Sequence, residues 1–503
     1  MNSIYSKKMA EEYVWYFKMS IAFGLLFTFC IYRNMSGITF PVLTAGLILF
    51  SVMFLDRAGI KPGKDSLPYF LGIMLLGIST CMTANGFFHF FNYAGIILLF
   101  MAVMIHQFYD DKNWGFAGYV KKFFIFSWTW FISLSEPFRH RITLKRGDGG
   151  EKRKINRNVT AALCGLIAAL LFLLVVMPLL MTSDRIFSQV FTDIFRVFDI
   201  ESILENVDIW NIVGIILTFL VGGVGILSFF AAVFRMNLER GAELKKGVAN
   251  PVTGITFTSV LAAVYVFYSA VQILFLFMRR GLPENMTYSQ YAHEGFWQLL
   301  FVGIINFIAV VICMQIFEEN RILKILLFVL SVCTCVMILS AAYRMGLYVG
   351  EYNLTFLRVL VLWFLGVLMI IFFGVMYAIF HSEFRMFRYI LLIVSVMYTA
   401  FSFSRPDRII AEYNISSTEN LNFEDVQYLI TGLSEDAAPS IAEISSDELS
   451  ELEVIEYVGD YYSDILRRDG EMSLRQWNYS RSSAAGTAEK WLENVRINYM
   501  VRE

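Results

Sequence analysis

Two arginines, Arg344 and Arg358, have the residue type and the position to bind an anion. Both lie beside the polar stretch that separates two long apolar runs, where a guanidinium must extend to the membrane surface or find an acceptor. Glu351 precedes Arg358 by seven residues and could be that acceptor if the connection folds back. The forked donors of arginine suit a lipid headgroup or a carboxylate of the C-terminal segment, and lysine would not replace them. The candidate anion, lipid or interdomain site comprises Arg344, Arg358, Tyr348, Glu351, Tyr288 and Tyr291.

A simpler interpretation leaves both arginines without a ligand. Long cationic side chains near helix ends commonly extend from an apolar helix toward water. On that interpretation Arg344 and Arg358 mark the membrane interface and bind nothing specific.

The sequence contains no motif for metal binding, phosphate binding or hydrolysis. The five histidines are scattered without HExxH spacing, and Cys333 and Cys335, two residues apart in an apolar run, cannot chelate a metal well. The phosphate loop, the GxSxG elbow and a strand-associated GxGxxG are absent from the sequence. We therefore predict no catalytic residue, metal or cofactor, and a non-enzymatic protein is favoured over an enzyme. Nucleic-acid binding is also disfavoured, because the aromatic residues near the basic loop belong to an apolar run.

The composition places these residues in a membrane. Of 503 residues, 57% are hydrophobic and 17% charged, and the mean hydropathy is +0.58, whereas soluble domains have about 45–50% apolar and about 25% charged residues. Eleven runs have the length of about 18 or more apolar residues that a spanning helix needs, and they predict an all-α bundle over residues 1–403. The third and fourth runs are separated only by Asn85–Gly86, so the count could be ten. The runs are roughly 14–32, 38–55, 68–84, 87–108, 159–182, 209–234, 252–278, 297–317, 322–343, 355–380 and 386–403.

The loop charges predict an orientation in the cell membrane. The 109–158 loop carries eleven Lys and Arg against five acids, whereas the 183–208 loop carries two arginines against six acids. Because positively charged loops stay in the cytoplasm, we expect the N-terminus and the 109–158 loop to be cytoplasmic. Residues 404–503 hold 9 basic and 20 acidic residues and follow the last span. They are therefore predicted to form an acidic, soluble, extracytoplasmic tail.

Capping signals predict that this tail is a small helical domain. Ser445 and Glu448 form a capping box that opens a helix through Leu449 to Leu466, ended by Gly470. Asn422 and Ser434 are predicted to start two shorter helices. A last helix is predicted at about 482–495.

Two amphipathic stretches favour the membrane surface over a full crossing. One lies at 187–198 and the other at 115–135. The second continues into the basic residues Arg139 to Arg157, which could bind anionic lipid headgroups. The alternative is that these cations only enforce topology. Membrane lipids are the expected partners, and no protein partner can be named.

Three blocks resemble a bacterial membrane-protein family catalogued as domains of unknown function 4153 and 4173. They are TYSQYAHEGFWQL, YRMGLYVGEYNLTFLRVLVLW and RPDRIIAEYN followed by YLITGLSEDAAPSI, within about residues 150–480. The resemblance implies a polytopic protein without an assigned activity. The chain departs from the pattern at Asn353, where the family has a glycine before Leu-Thr. The residues that carry the resemblance are Tyr288, Tyr291, Gly295, Phe296, Arg344, Tyr348, Thr355, Arg358, Asp407, Tyr413, Asn414, Asp436 and Pro439.

Two hypotheses about function follow. The first is a non-enzymatic sensor or envelope-associated scaffold that works through the tail and the basic loop. The second is a transporter or flippase-like carrier, suggested by polar side chains in or beside spans, where burial is costly unless they are paired or functional. These side chains are Gln272, Gln298, Asn306 and Gln315. No inverted repeat is evident in the hydropathy, which does not favour a carrier.

Overall fold

The computed structural model describes residues 4–109, 114–134, 209–235, 247–274, 296–418, 421–445, 449 and 454–502. In these ranges the regular structure is helical, and one isolated bridge joins Ala249 to Phe317. Ten of the described helices are long and apolar enough to cross a membrane. The protein is therefore an all-α, multi-pass membrane protein.

The described helices are numbered in chain order. They are α1 (Ile4–Glu11), α2 (Tyr13–Ile31), α3 (Thr39–Ala58), α4 (Leu67–Met82), α5 (Gly86–Phe108), α6 (Phe116–Ser133), α7 (Ile209–Arg235), α8 (Pro251–Gln272), α9 (Phe296–Ile316), α10 (Arg321–Tyr352), α11 (Phe356–Phe380), α12 (Met386–Phe403), α13 (Pro406–Ser417), α14 (Phe423–Thr431), α15 (Ala438–Ile441), α16 (Ile455–Gly470) and α17 (Tyr479–Arg502). Short 3-10 turns occupy Lys64–Ser66, Glu435–Ala437 and Leu474–Gln476.

Ten of the eleven predicted spans are confirmed as helices. The third and fourth runs are separate helices, because the side chain of Asn85 accepts the amide of Phe87 and so starts α5 afresh. The run at 159–182 and the amphipathic stretch at 187–198 lie outside the described residues. The stretch at 115–135 is the helix α6, which is not among the ten described helices that could cross.

The longest helix, α10, has 32 residues. At 1.5 Å per residue it is about 48 Å long, which exceeds the roughly 30 Å hydrocarbon core of a bilayer. The extra turns continue its axis beyond the apolar layer and carry the segment from Arg344 to Tyr352.

The described chain divides into two compact units. The N-terminal unit contains α1, α2, the end of α3 from Met53, the second half of α6 from Phe126, and α7. Glycines of α7 pack against α2: a Cβ on Gly222 would lie 2.7 Å from Phe27, and one on Gly223 would lie 3.2 Å from the Ser20 carbonyl. Glycine at these two positions therefore lets α7 approach α2 closely.

The main unit contains the remaining described helices. Its membrane part is built around α10 and α11, which bury residues such as Leu330, Ile338 and Phe372 against α8, α9 and α12. These contacts fix the turn between α10 and α11 at one end of the bundle, where the tail begins.

Residues 404–503, called the tail from here on, pack around their own apolar core. Asn422 and Asp425 form a capping box at the start of α14, and Gly470 ends α16, as predicted. The prediction of one continuous helix from Leu449 is wrong, because Val454 is not helical and α16 begins at Ile455. Helix α13, which starts with a proline at its first position, was not predicted.

Candidate functional site

A buried carboxylate of the tail holds the turn between α4 and α5. Asp436, 3% exposed, accepts the Ala84 amide at 2.7 Å with one oxygen and the Thr83 hydroxyl with the other. The Ser480 hydroxyl, at the start of α17, also donates to it. Hydrogen bonds to a charged acceptor are about twice as strong as neutral ones, so three donors hold this carboxylate tightly.

A second buried carboxylate, Asp407 at the start of α13, lies beside the same turn. It is 1% exposed, and its Oδ2 accepts the Asn85 amide group at 2.8 Å and the Ser434 backbone amide at 3.0 Å. Its Oδ1 is buried and accepts no hydrogen bond within the described residues. Burial raises the pKa of the Asp407 carboxyl above its ordinary value, and the charge of Asp436 acts in the same direction.

The amide of Asn478 ties the tail to the ends of two spans. Its Nδ2 donates to the carbonyls of Ser36 and Thr83 at 3.0 and 2.9 Å, and to the Thr80 carbonyl at 3.3 Å. Its Oδ1 accepts the Ser480 amide at the start of α17. The buried Asn478 side chain therefore satisfies carbonyls at the end of α4 and caps the start of α17.

The loop 33–38, which precedes α3, is bonded to residues 475–477 of the tail. Asn34 donates to the Arg475 carbonyl at 2.8 Å, and the Ile38 amide donates to the Trp477 carbonyl at 2.8 Å. The backbones come so close at Gly37 that a Cβ there would lie 2.2 Å from the Arg475 carbonyl oxygen. A residue larger than glycine cannot fit at this position without movement of the tail.

The turn between α10 and α11 is held by two further tail residues. Asn414 donates to the Leu354 carbonyl at 2.9 Å and accepts the Leu354 amide at 2.8 Å. The Phe356 amide donates to the Tyr428 hydroxyl at 3.1 Å. We call the contacts of the tail with turns 33–38, 83–85 and 353–356 the tail junction.

Arg358 binds the end of α10 in the same turn. Its Nη1 donates to the carbonyls of Tyr352 and Asn353, and its guanidinium lies 4.4 Å from the centre of the Tyr348 ring. The last carbonyls of a helix lack helical partners and carry partial negative charge, so a cation there is favourable. In the described part of the chain no ion pair joins Arg358 to Glu351, which is exposed. The acceptor is therefore backbone and not the predicted carboxylate.

Asn353 stands where the resembled family pattern has a glycine. It has φ of 62° and ψ of 176°, a conformation that glycine adopts far more easily than other residues. A glycine would therefore suit this turn, and asparagine adopts the conformation at a cost in backbone strain.

Arg344 belongs to a different set of contacts. It is buried on α10 and donates to Gln272 of α8 at 3.1 Å, and Gln272 also accepts the Ser340 hydroxyl at 2.6 Å. Tyr288 and Tyr291 lie outside the described residues. Of the predicted site residues, the structure thus brings together Arg358 and Tyr348 and bonds Arg344 to α8.

A second polar cluster joins α8 and α10 to α9. Asn306 of α9 accepts the Tyr265 hydroxyl and donates to Thr334, both at 2.9 Å. We call this cluster and the Gln272, Ser340 and Arg344 set the bundle clusters. In both, side chains of adjacent helices bond to one another, which is the usual role of polar residues between spanning helices.

The contacts of the tail junction attach the tail to the ends of the spanning helices. Asp436 has donors on both oxygens, and a carboxylate so occupied offers a substrate no open position. Throughout the described ranges, no three His, Cys, Asp or Glu side chains gather as a possible metal site. What the junction can do is hold the ends of separate spans against one folded surface.

Sequence reasoning found part of this junction. Asp407, Asn414 and Asp436 were named through the family resemblance, although without a role. Thr83, Asn85, Tyr428 and Asn478 were missed, because a single polar residue at a turn has no distinctive pattern. For Thr83 and Asn85 the one available signal was their position next to the ends of apolar runs, and Tyr428 and Asn478 had no such signal.

Comparison with known proteins identifies the family to which the chain belongs. No curated protein and no solved structure matches the chain significantly. The family described as a domain of unknown function (DUF4153) matches residues 70–444. The match begins earlier and ends earlier than the resemblance seen in the sequence, and it includes the turn 83–85 together with Asp407 and Asp436. Because it covers most of the chain, the protein belongs to this family of the domain of unknown function DUF4153.

Proposed function

We propose that this protein is a non-enzymatic sensor or scaffold of the cell membrane, in which a folded extracytoplasmic tail is coupled to the ends of several spanning helices. The observation that carries the proposal is the tail junction. Together Asp436, Asn414 and Asn478 bond to backbone groups of all three turns, so displacement of the tail changes the three turns together. A signal or a partner acting on the tail would therefore reach the helices directly.

The set of turns that the tail contacts supports the proposed orientation. With the predicted run 159–182 counted as a crossing, turns 33–38, 83–85 and 353–356 all fall on the face where the tail begins. These are the turns to which the tail bonds. The basic loops fall on the opposite face, as expected for a cytoplasmic side.

Thiol labelling tests the orientation. Ser463 is exposed on α16, so Ser463→Cys in a cysteine-free variant should react with a membrane-impermeant reagent in intact cells. Labelling that appears only after lysis would place the tail in the cytoplasm and contradict the proposal.

Hydrogen exchange tests the coupling. In Asp436→Asn, the carboxylate that binds turn 83–85 is lost, and we expect faster amide exchange in turns 33–38 and 353–356 as well as in 83–85. Asp460→Asn is the matched control, because Asp460 is exposed on α16. Faster exchange confined to turn 83–85 would show that the three turns move independently, and the sensor or scaffold mechanism would then fail.

The bundle clusters favour a second candidate, a transporter or flippase-like carrier. A buried arginine within a spanning helix is often functional, and Arg344 is 6% exposed. However, it lies 23 residues into α10, about 35 Å from the start of the helix and so near the outer edge of the roughly 30 Å core. Carriers usually bind substrate near the midplane.

A reconstitution assay separates the two candidates. Proteoliposomes that contain the purified protein should scramble fluorescent phospholipids no faster than empty liposomes. Scrambling that is abolished in Arg344→Gln would establish the carrier and overturn the scaffold.

A further inference from the structure

In the described part of the tail, residues 473–479 expose three large apolar or aromatic side chains on one short segment. Leu474 is 91% exposed, and Trp477 and Tyr479 are 39% and 40% exposed. The loop bonded to this segment adds Met35 and Ile38, which are 53% and 45% exposed. Single exposed apolar residues are ordinary, but five on two bonded segments form a patch that requires an explanation.

The charge of this segment differs from that of the rest of the tail. The tail as a whole has 20 acidic and 9 basic residues, yet residues 472–488 include no Asp or Glu and contain Arg475 and Arg481. A surface without acids avoids repulsion from the phosphates of a lipid headgroup layer. Such a surface next to apolar side chains is typical of a segment that lies in a membrane interface.

The structure places this segment at the level of three span ends. The Trp477 carbonyl accepts the amide of Ile38, one residue before α3 begins. Asn478 donates to the Thr80 and Thr83 carbonyls at the end of α4. The Arg405 guanidinium, two residues beyond α12, lies 4.6 Å from the centre of the Tyr479 ring. Three span ends define the plane where hydrocarbon gives way to headgroups.

We propose that residues 473–479 form an interface wedge that inserts Leu474 and Trp477 into the leaflet facing the tail. The lipid bilayer is the occupant of the patch, because the segment is fixed at span ends, where Trp and Tyr rings favour the headgroup level. The wedge goes beyond the proposed function: it gives the tail a direct contact with lipid that does not depend on a protein partner.

The wedge also explains why the segment is held so firmly by its backbone. The carbonyls of Arg475 and Trp477 accept hydrogen bonds from Asn34 and Ile38, so these two carbonyls need no water. A segment that enters the interface must satisfy its backbone internally, since dehydrated amides and carbonyls are costly.

Spin-label accessibility provides the first test. In a cysteine-free variant in nanodiscs of phosphatidylcholine and phosphatidylglycerol, a nitroxide at Leu474→Cys should collide several-fold more with oxygen than with a water-soluble nickel chelate. Glu489→Cys, exposed on α17, is the control and should show the reverse. Equal access of the chelate to both labels would mean that residue 474 lies in water. Shielding of residue 474 from both agents would mean that protein covers it. Either result overturns the wedge.

Lipid photolabelling tests the wild-type side chain without a reporter. A phospholipid with a diazirine in its acyl chain should label the peptide that contains Leu474 and Trp477, but not the peptide that contains the tail residue Tyr457. Leu474→Asp should lower that labelling several-fold while the exchange protection of turn 83–85 is retained. Labelling that is absent in wild type, or unchanged in Leu474→Asp, contradicts the proposal.

Discussion

The tail junction and the bundle clusters both bury bonded polar side chains, but the junction also bonds to the backbone of turns. In the bundle clusters Asn306 and Gln272 bond to side chains on neighbouring helices. In the tail junction Asp436, Asn414 and Asn478 bond to backbone groups that turns leave unpaired. A buried backbone amide or carbonyl cannot be mutated away, so the loss of its partner leaves a full desolvation penalty. We therefore expect each backbone hydrogen bond of the tail junction to contribute more to stability than a hydrogen bond of the bundle clusters.

The largest effect is expected for Asp436→Ala. This substitution leaves the Ala84 amide and the Thr83 and Ser480 hydroxyls without their charged acceptor, at a site 3% exposed. We expect the free energy of unfolding in micelles to fall by about 3 kcal/mol. Asp460→Ala, at an exposed position of α16, should change it by less than about 0.5 kcal/mol. Equal losses in the two variants would remove the distinction between the junction and ordinary tail surface.

A steric change at Gly37 should open the junction without removing any hydrogen-bonding group. In Gly37→Ala the new Cβ meets the Arg475 carbonyl oxygen at 2.2 Å and the Gln476 Cα at 2.7 Å, both of them backbone. We expect a loss of about 1–3 kcal/mol and faster tryptic cleavage after Arg475. Gly63→Ala is the control, because a Cβ at Gly63 has no neighbour within 4 Å. Resistance of Gly37→Ala to trypsin equal to that of the control would argue against close docking of residues 475–477.

The raised pKa of Asp407 predicts a pH dependence of the junction. The folded protein binds the Asp407 proton more tightly than the unfolded chain does. The pKa of this carboxyl is about 3.9 in the unfolded chain. Asp407 therefore lowers the stability of the folded protein as the pH rises from that value to the raised pKa of the folded state. In Asp407→Asn the amide oxygen can still accept the bonds from Asn85 and Ser434, and this part of the pH dependence should vanish.

The measurement is the melting temperature of both proteins between pH 4 and pH 8. The wild type should lose stability relative to Asp407→Asn as the pH increases through that window. Parallel curves would mean that Asp407 titrates normally and that its burial has no electrostatic cost.

The smallest effect is expected in the bundle clusters. Asn306→Leu removes the partners of the Tyr265 and Thr334 hydroxyls, but Thr334 still donates to the Leu330 carbonyl in its own helix. Interhelical hydrogen bonds in membranes contribute about 0.6 kcal/mol on average, so we expect a loss below about 1.5 kcal/mol in the same unfolding assay. A loss as large as that of Asp436→Ala would reverse the ranking of the two regions.

Much of the membrane architecture was predictable, because a spanning helix requires a long apolar run that is visible in the sequence. Ten runs became helices, and the separation of α4 from α5 was visible in the Asn85–Gly86 break. The cap at Asn422 was also predictable, since its partner Asp425 is three residues away. Local signals of this kind depend on residues that are close in sequence.

The junction was not predictable, because its partners are backbone groups or residues far apart in sequence. The partners of Asp436 include a backbone amide at Ala84, which has no residue signature. Glu351 was considered as an acceptor for Arg358 if the connection folds back, whereas Arg358 binds the carbonyls at the end of α10. The break at Val454 was missed because the apolar positions from Leu449 to Leu466 fit one helical face. Backbone acceptors and distant partners are the two features that residue patterns do not reveal.

The sequence separation across the junction has a consequence for biosynthesis. Thr83 and Asp436 are 353 residues apart, and Asn34 and Arg475 are 441 residues apart. These turns are therefore synthesised hundreds of residues before their tail partners and must remain without them while the intervening helices are made and inserted. Contacts of such high sequence separation form slowly. The early spans must pass through an interval in which the polar groups of turns 33–38 and 83–85 depend on water, lipid headgroups or a chaperone, and completion of the tail ends that interval.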